Sequence, residues 1–301
     1  MELRKRQPLY ERVLTRAWTL AAPLVARIVW LAGKPEGAQA RAFAFARRFE
    51  AFAGLFLGKR ADGAIPVRVH VMNALISKFC GFQRGFPVDF DLTGDCRQLL
   101  PRPGGRGILL VTVHTKLGLA ANAALRSGGR GPVFVGYPPG NLRTSSWGTR
   151  DELEYIDAND PTVFLKVHAA IEDGRIVVAF PDFGKSNDGR SFISSNLFHW
   201  ADQASVPIMH SLSTLGDGGQ IRIELAAEPQ SAAGADARAR AFVDFLGARW
   251  ARRFAVCRPK ELERVAASPG PARCARAGFP RMDSAAVIAA PSERPAQRAA
   301  E

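Results

Sequence analysis

His114 closes the apolar run Gly107 to Val113 (GILLVTV), and Asp182 follows Arg175 to Phe180 (RIVVAF) across a single proline. Dense apolar runs of this length read as strands buried on both faces. In open α/β sheets, ligands and reacting groups gather at the carboxyl ends of such strands. An imidazole there changes charge near neutral pH and can take or return a proton. Close in sequence lie Lys116, Lys185, Ser186 and Arg190, and Pro207 sits within the next apolar run, Val206 to Ser211 (VPIMHS). Each residue also has a plainer use. His114 also reads as a hydrogen-bonded strand-end histidine, Asp182 as the cap of the following turn, and the Lys and Arg side chains as solvated surface charge. His70, His199 and His210 have no metal-ligand spacing and read as structural.

The elements that must hold these residues alternate in type. Strands are expected at 107–113, at Pro132 to Gly136 (PVFVG), at 175–180, at 206–211 and at 220–226 (QIRIELA). Between them lie a small-residue helix (LGLAANAALRSG), a loop at 137–149 rich in Gly, Pro and Ser, and a helix at His168 to Asp173 ended by Gly174. Thr162 to Val167 reads as a strand or a helix entry, and 195–204 as a further helix. Strands alternating with helices, each strand buried on both faces, define a three-layer α/β domain with a largely parallel sheet. Residues 236–256 form an amphipathic helix, with Phe242, Phe245, Leu246, Trp250 and Phe254 on one stripe.

The ends of the chain differ from this centre. Trp18 to Gly33 is apolar but interrupted by Pro23 and Arg27, and it falls short of the roughly 20 residues that cross a bilayer. Residues 38–57 form a second helical pattern, with Phe45, Phe49, Phe52 and Phe56 along one face. Both segments suit helices lying on a membrane surface as well as ordinary packing. Beyond 265 the chain holds twelve Ala and five Pro in 37 residues with little periodicity, and it reads as a disordered tail. The expected organisation is therefore basic docking helices over 1–60, an α/β domain over 61–264 and the tail over 265–301.

Charge follows the same division. The chain carries 41 Lys and Arg against 28 Asp and Glu, a formal net +13. Residues 1–60 hold net +8, residues 61–231 net −1, residues 232–264 net +4 and the tail net +2. So basic a balance favours anionic partners: nucleic acid, phosphate ligands or a membrane surface. No nucleic-acid-binding pattern accompanies it, and aromatics do not interleave with basic residues on a strand face. The four cysteines show no C-x-x-C spacing, so neither a zinc site nor a disulfide framework is signalled.

The run Phe180-Pro181-Asp182-Phe183-Gly184-Lys185-Ser186 resembles the F-P-E-G-T-R-S block of the glycerophosphate and lysophospholipid acyltransferase superfamily. It is similar also to the shorter apolar-Pro-Asp block of the bacterial lipid A late acyltransferases. Ala169 to Arg175 resembles the helix-plus-Gly that leads into that block, Val206-Pro207-Ile208 fits the V-P-[IV] block, and His114 falls close to where the family's histidine belongs. The resemblance covers roughly residues 105–215. It implies an acyltransferase-type fold, His114 as general base, and Lys116, Lys185, Ser186, Arg190 and Pro207 at the acceptor. It also implies an acyl-carrier-protein or coenzyme A thioester as co-substrate, a lipid acceptor, no metal or redox cofactor, and a peripheral or monotopic place on the cytoplasmic face of the inner membrane.

One departure matters. The family's motif is His-x4-Asp or His-x4-Glu, in which the carboxylate holds the imidazole tautomer and stabilises the imidazolium. Here that position holds Leu119. A literal His-x4-Asp at His168 and Asp173 lies inside the helix before the Phe-Pro-Asp block and reads as a chance match. Asp182, at the end of a neighbouring strand, is the candidate replacement. Three classes follow: an acyltransferase, a degenerate member that binds lipid or acyl carrier without turnover, and, least supported, a nucleic-acid-binding protein.

Overall fold

The computed structural model describes residues 37–57, 68–69, 71–72, 90–95, 105–115, 117–118, 132–136, 154–185, 191–249 and 254–257, with single positions at 24, 28 and 125. In chain order the elements are α1 (Ala38–Leu57), β1 (Phe90–Gly94), β2 (Ile108–Val111), β3 (Val133–Gly136), β4 (Glu154–Asp157), α2 (Val163–Glu172), β5 (Ile176–Ala179), β6 (Asp182–Lys185), β7 (Ser191–Ser194), α3 (Asn196–Gln203), β8 (Ile208–Leu215), β9 (Ile221–Ala227), α4 (Ala235–Gly247) and β10 (Phe254–Cys257). The protein is an α/β protein with a mostly parallel central sheet. Seven strands run in the order β1-β9-β8-β2-β5-β3-β4, and β10-β7-β6 form a second, three-stranded sheet.

The apolar runs become the centre of the large sheet. β2 lies between β5 and β8, parallel to both, and β5 lies between β2 and β3. Strands covered on both faces have no use for alternation, which is why ILLV and IVVA are apolar throughout. On one face Leu109, Val111 and Val177 pack with Val167 and Ile171 of α2, Phe198 of α3 and Phe242 of α4 in a single buried cluster. Each such side chain, fully buried, contributes about 1.5–3 kcal/mol. Alternation turns Leu110, Thr112, Phe134 and Val178 to the opposite face. α1 reaches the sheet at the β8–β9 turn, where Gln39 Nε2 donates to the Gly219 carbonyl at 2.8 Å.

Two glycines set the entry to the central strands. Gly174 (φ 74°) ends α2 in the left-handed conformation, and the following N–H of Arg175 returns to the Ala170 carbonyl at 2.9 Å. This is the Schellman stop that glycine permits. Gly107, just before β2, donates to the Ile171 carbonyl at 2.7 Å, and a Cβ there would lie 2.0 Å from the Arg175 carbonyl oxygen.

β9 runs antiparallel to β8, in a sheet that is otherwise parallel, because Gly216 to Gln220 is too short to return the chain to a parallel start. Several expectations are corrected. β9 is not buried on both faces: its residues alternate buried and half-buried over most of its length. The helix expected over 236–256 ends at Gly247, and Phe254 to Cys257 instead pairs in parallel with β7. Of the two readings of Thr162 to Val167, the helix entry is the one observed: the stretch forms the start of α2. Among the side chains described in α1 the buried ones are Gln39, Ala42, Phe43 and Ala46, while Phe45 of the expected stripe is 46% exposed. Of the Trp18–Gly33 stretch only Leu24 and Ile28 are described, both helical and exposed. The small-residue helix (positions 117, 118 and 125 apart), the loop at 137–149 and the tail lie outside the described residues. No described helix is long and apolar enough to cross a membrane.

Candidate active site

Two sheets each deliver one residue to the same place. His114 sits three residues beyond β2, after Thr112 has made one more hydrogen bond to the Ala179 carbonyl at 3.0 Å. The chain then tightens: the Gly118 N–H donates to the Thr115 carbonyl at 3.1 Å, with Leu117 fully buried. Asp182 follows β5 across Pro181 and opens β6, where it is registered against Ile193 of β7. The Pro181 carbonyl accepts from Ser194 N–H at 2.8 Å, which ties the crossover between sheets to β7.

Because β2 and β5 are parallel neighbours, both residues emerge at the same carboxyl edge. The Asp182 carboxylate takes the backbone N–H of His114 on both oxygens, at 3.2 Å (Oδ1) and 3.0 Å (Oδ2). Its Oδ1 also lies 2.9 Å from His114 Nδ1. The Asp182 side chain is 3% exposed and that of His114 48%. An ionised carboxylate only accepts, so Nδ1 carries the proton and donates to it. In the neutral ring with that tautomer, Nε2, at the end away from Asp182, is the nitrogen that accepts.

The ring plane is held from the side. His114 stacks on Phe180 with centroids 4.3 Å apart and planes at 28°. Phe180 in turn lies 6.4 Å from Phe134, which meets Tyr155 at 5.7 Å. These rings continue from the pair along the sheet face that Leu110 shares. Burial pushes the Tyr155 phenol above its ordinary pKa.

Of the expected site residues, His114 and Asp182 are brought together. Pro207 is not: it lies just before β8, whose Ile208 is level with Leu109 near the start of β2, and its carbonyl accepts from Leu109 N–H at 3.0 Å. Lys116, Ser186 and Arg190 lie outside the described residues, and for Lys185 only its backbone place on β6 is described. His168 lies 3.8 Å from Glu172, on the helix that precedes β5, and Asp173 caps that helix. The sequence reading missed Phe180 as a support of the imidazole, although its place directly before Pro181-Asp182 was visible. Among the described residues no group of three or more His, Cys, Asp or Glu is gathered as a metal ligand set.

Fold and site together define an α/β protein whose mostly parallel sheet presents a histidine–aspartate pair at its carboxyl edge. No protein-family model matches the chain, and no curated protein matches it in sequence.

Proposed function

We propose that the protein is an acyltransferase of the lysophospholipid or lipid A type, with His114 as general base and Asp182 as its orienting carboxylate. It moves a fatty acyl group from an acyl-carrier-protein or coenzyme A thioester to a hydroxyl of a membrane lipid. The observation that carries this reading is the 2.9 Å contact between His114 Nδ1 and Asp182 Oδ1. It supplies the carboxylate that Leu119 lacks.

In the reaction, Nε2 takes the acceptor hydroxyl proton as that oxygen bonds to the thioester carbonyl carbon. The C–S bond then breaks, and the imidazolium returns its proton to the departing thiolate. Asp182 stabilises the imidazolium between these steps, as carboxylates do in comparable pairs. Lys116, Lys185, Ser186 and Arg190 receive the acceptor's phosphate. In this reading the fold is the three-layer acyltransferase type, and the basic N-terminal helices dock it on the anionic cytoplasmic leaflet. The exposure of Leu24, Ile28 and Phe45 supports such docking, as does the net +8 of residues 1–60.

The test is acyl transfer from both thioester donors to lysophospholipid and lipid A precursors by wild type, His114→Ala and Asp182→Asn. Turnover by wild type that both variants lose bears the reading out. Leu119 at the motif position favours a second reading, a binder of lipid or acyl carrier. Equal transfer by wild type and His114→Ala, with acyl-chain binding retained, would replace the enzyme with that binder.

A further inference from the structure

A cleft of about 480 Å³ lies between α4, the end of β9 and the connection that joins them. It is separate from the histidine–aspartate pair. His210, on its wall, is aligned with Val111 and shares the helix-covered face of the sheet. His114 packs through Phe180 on the opposite face. The cleft volume falls within the range of small-molecule sites.

Its surface is divided by chemistry. Ala226, Ala237 and Ala241 line an apolar part, together with the Phe245 ring. The polar members are His210, Ser231, Arg240, Asp244 and Arg249. His210 is 1% exposed, with its ring between Phe242 and Phe245, and its Nε2 is buried without a hydrogen-bond partner. Buried polar atoms in folded proteins are nearly always satisfied, so an orphan on a cleft wall marks a place for a ligand atom. Burial, with the positive charges of Arg249 and Arg238, pulls the His210 pKa down to about 4. The ring is therefore neutral at pH 7 and has one nitrogen to donate and one to accept.

The charges specify the ligand further. Arg249 is already engaged: its Nε donates to Glu224 Oε2 at 2.7 Å and its Nη1 to the Phe245 carbonyl at 3.1 Å. Among the described residues Arg240 forms no ion pair, which leaves one guanidinium to meet an anion. Asp244, one turn further along α4, opposes a second negative charge. We infer that this cleft binds a small amphipathic monocarboxylate, its carboxylate on Arg240 and the His210 imidazole and its apolar body on the alanines and Phe245.

Calorimetric titration of the full chain tests this with octanoate, octanol and inorganic phosphate as probes. Saturable 1:1 binding of octanoate is expected, with octanol and phosphate at least tenfold weaker. Arg240→Ala, which removes the charge, and Ala241→Trp, which fills the cleft, should each weaken octanoate at least tenfold without changing the circular dichroism. His114→Ala should leave octanoate affinity unchanged, so the inference survives or fails independently of the acyl-transfer reading. No saturable octanoate binding, affinity unmoved by both cleft variants, loss of affinity in His114→Ala, or phosphate binding as tight as octanoate would each overturn it.

Discussion

Asp182 serves His114 twice, through the backbone N–H and through the ring, and the two services respond differently to substitution. Asp182→Asn keeps an acceptor oxygen for the backbone but removes the charge that fixes the tautomer. If the proposed acyl transfer is the reaction, its rate should therefore fall by about 10⁴-fold with little change in stability, by the precedent of such carboxylates. Steady-state rates beside urea unfolding separate the effects, and a variant that unfolds without a specific rate loss would assign Asp182 to the loop alone. His210 makes a second prediction at this scale. Its folded pKa of about 4 lies below the ordinary 6.5, so the folded state holds the neutral ring while the unfolded chain takes up a proton as pH falls. This contribution is fully present above about pH 6.5 and is lost on the way down to pH 4, a change of roughly 3 kcal/mol. His210→Phe should flatten that slope. Urea midpoints at pH 7 and pH 4.5 read it, and an equally steep loss in the variant contradicts the assignment.

At the scale of elements, the approach of β2 to the α2–β5 corner is closer than any side chain permits. Gly107→Ala places its methyl 2.0 Å from a backbone oxygen that has no rotamer to move. We expect a loss of roughly 1–3 kcal/mol, the usual cost of overpacking. Gly247, at the last turn of α4, has open space where a Cβ would go. Gly247→Ala should be neutral or stabilising by up to about 1 kcal/mol, since alanine is the better helix former. Thermal unfolding of the two variants reads both signs; matching losses would show that glycine content and not the corner contact sets the cost. The buried central strands and the Gly174 stop were legible in the sequence because dense apolar runs and a helix-ending glycine each have few alternatives. β1, β4, β6, β7 and β10 were not. EYID and DFGK are short and polar-ended, and only their backbone pairing makes them strands. Phe254 fits a helical stripe by spacing, yet it lies on a strand because β7 offers a partner.

For the whole molecule, the basic N-terminal segment predicts association with anionic vesicles. Each Lys or Arg near such a surface contributes about 1 kcal/mol. Binding in a flotation assay should exceed that to neutral vesicles and should fall as salt rises, because the screening length shrinks from about 10 Å at 0.1 M to about 3 Å at 1 M. Salt-independent binding would point to apolar insertion in place of charge. The two sheets also have a joint consequence. The histidine is carried by the large sheet and the aspartate by the small one, so the geometry of the site depends on the Pro181 crossover between them.

The amino-acid sequence by itself determined the α/β class, the central strands, the uneven distribution of the +13 charge and the two strand-end residues worth testing. Those properties are local: they rest on apolar runs, turn residues and composition, which a linear reading contains. Only the tertiary structure decided which carboxylate meets His114, since residues 68 positions apart become partners through the parallel pairing of β2 and β5. It alone detached Pro207 from the site and aligned a fully buried histidine with a cleft under α4. Pairing and burial are relations between distant segments, and no spacing along the chain encodes them.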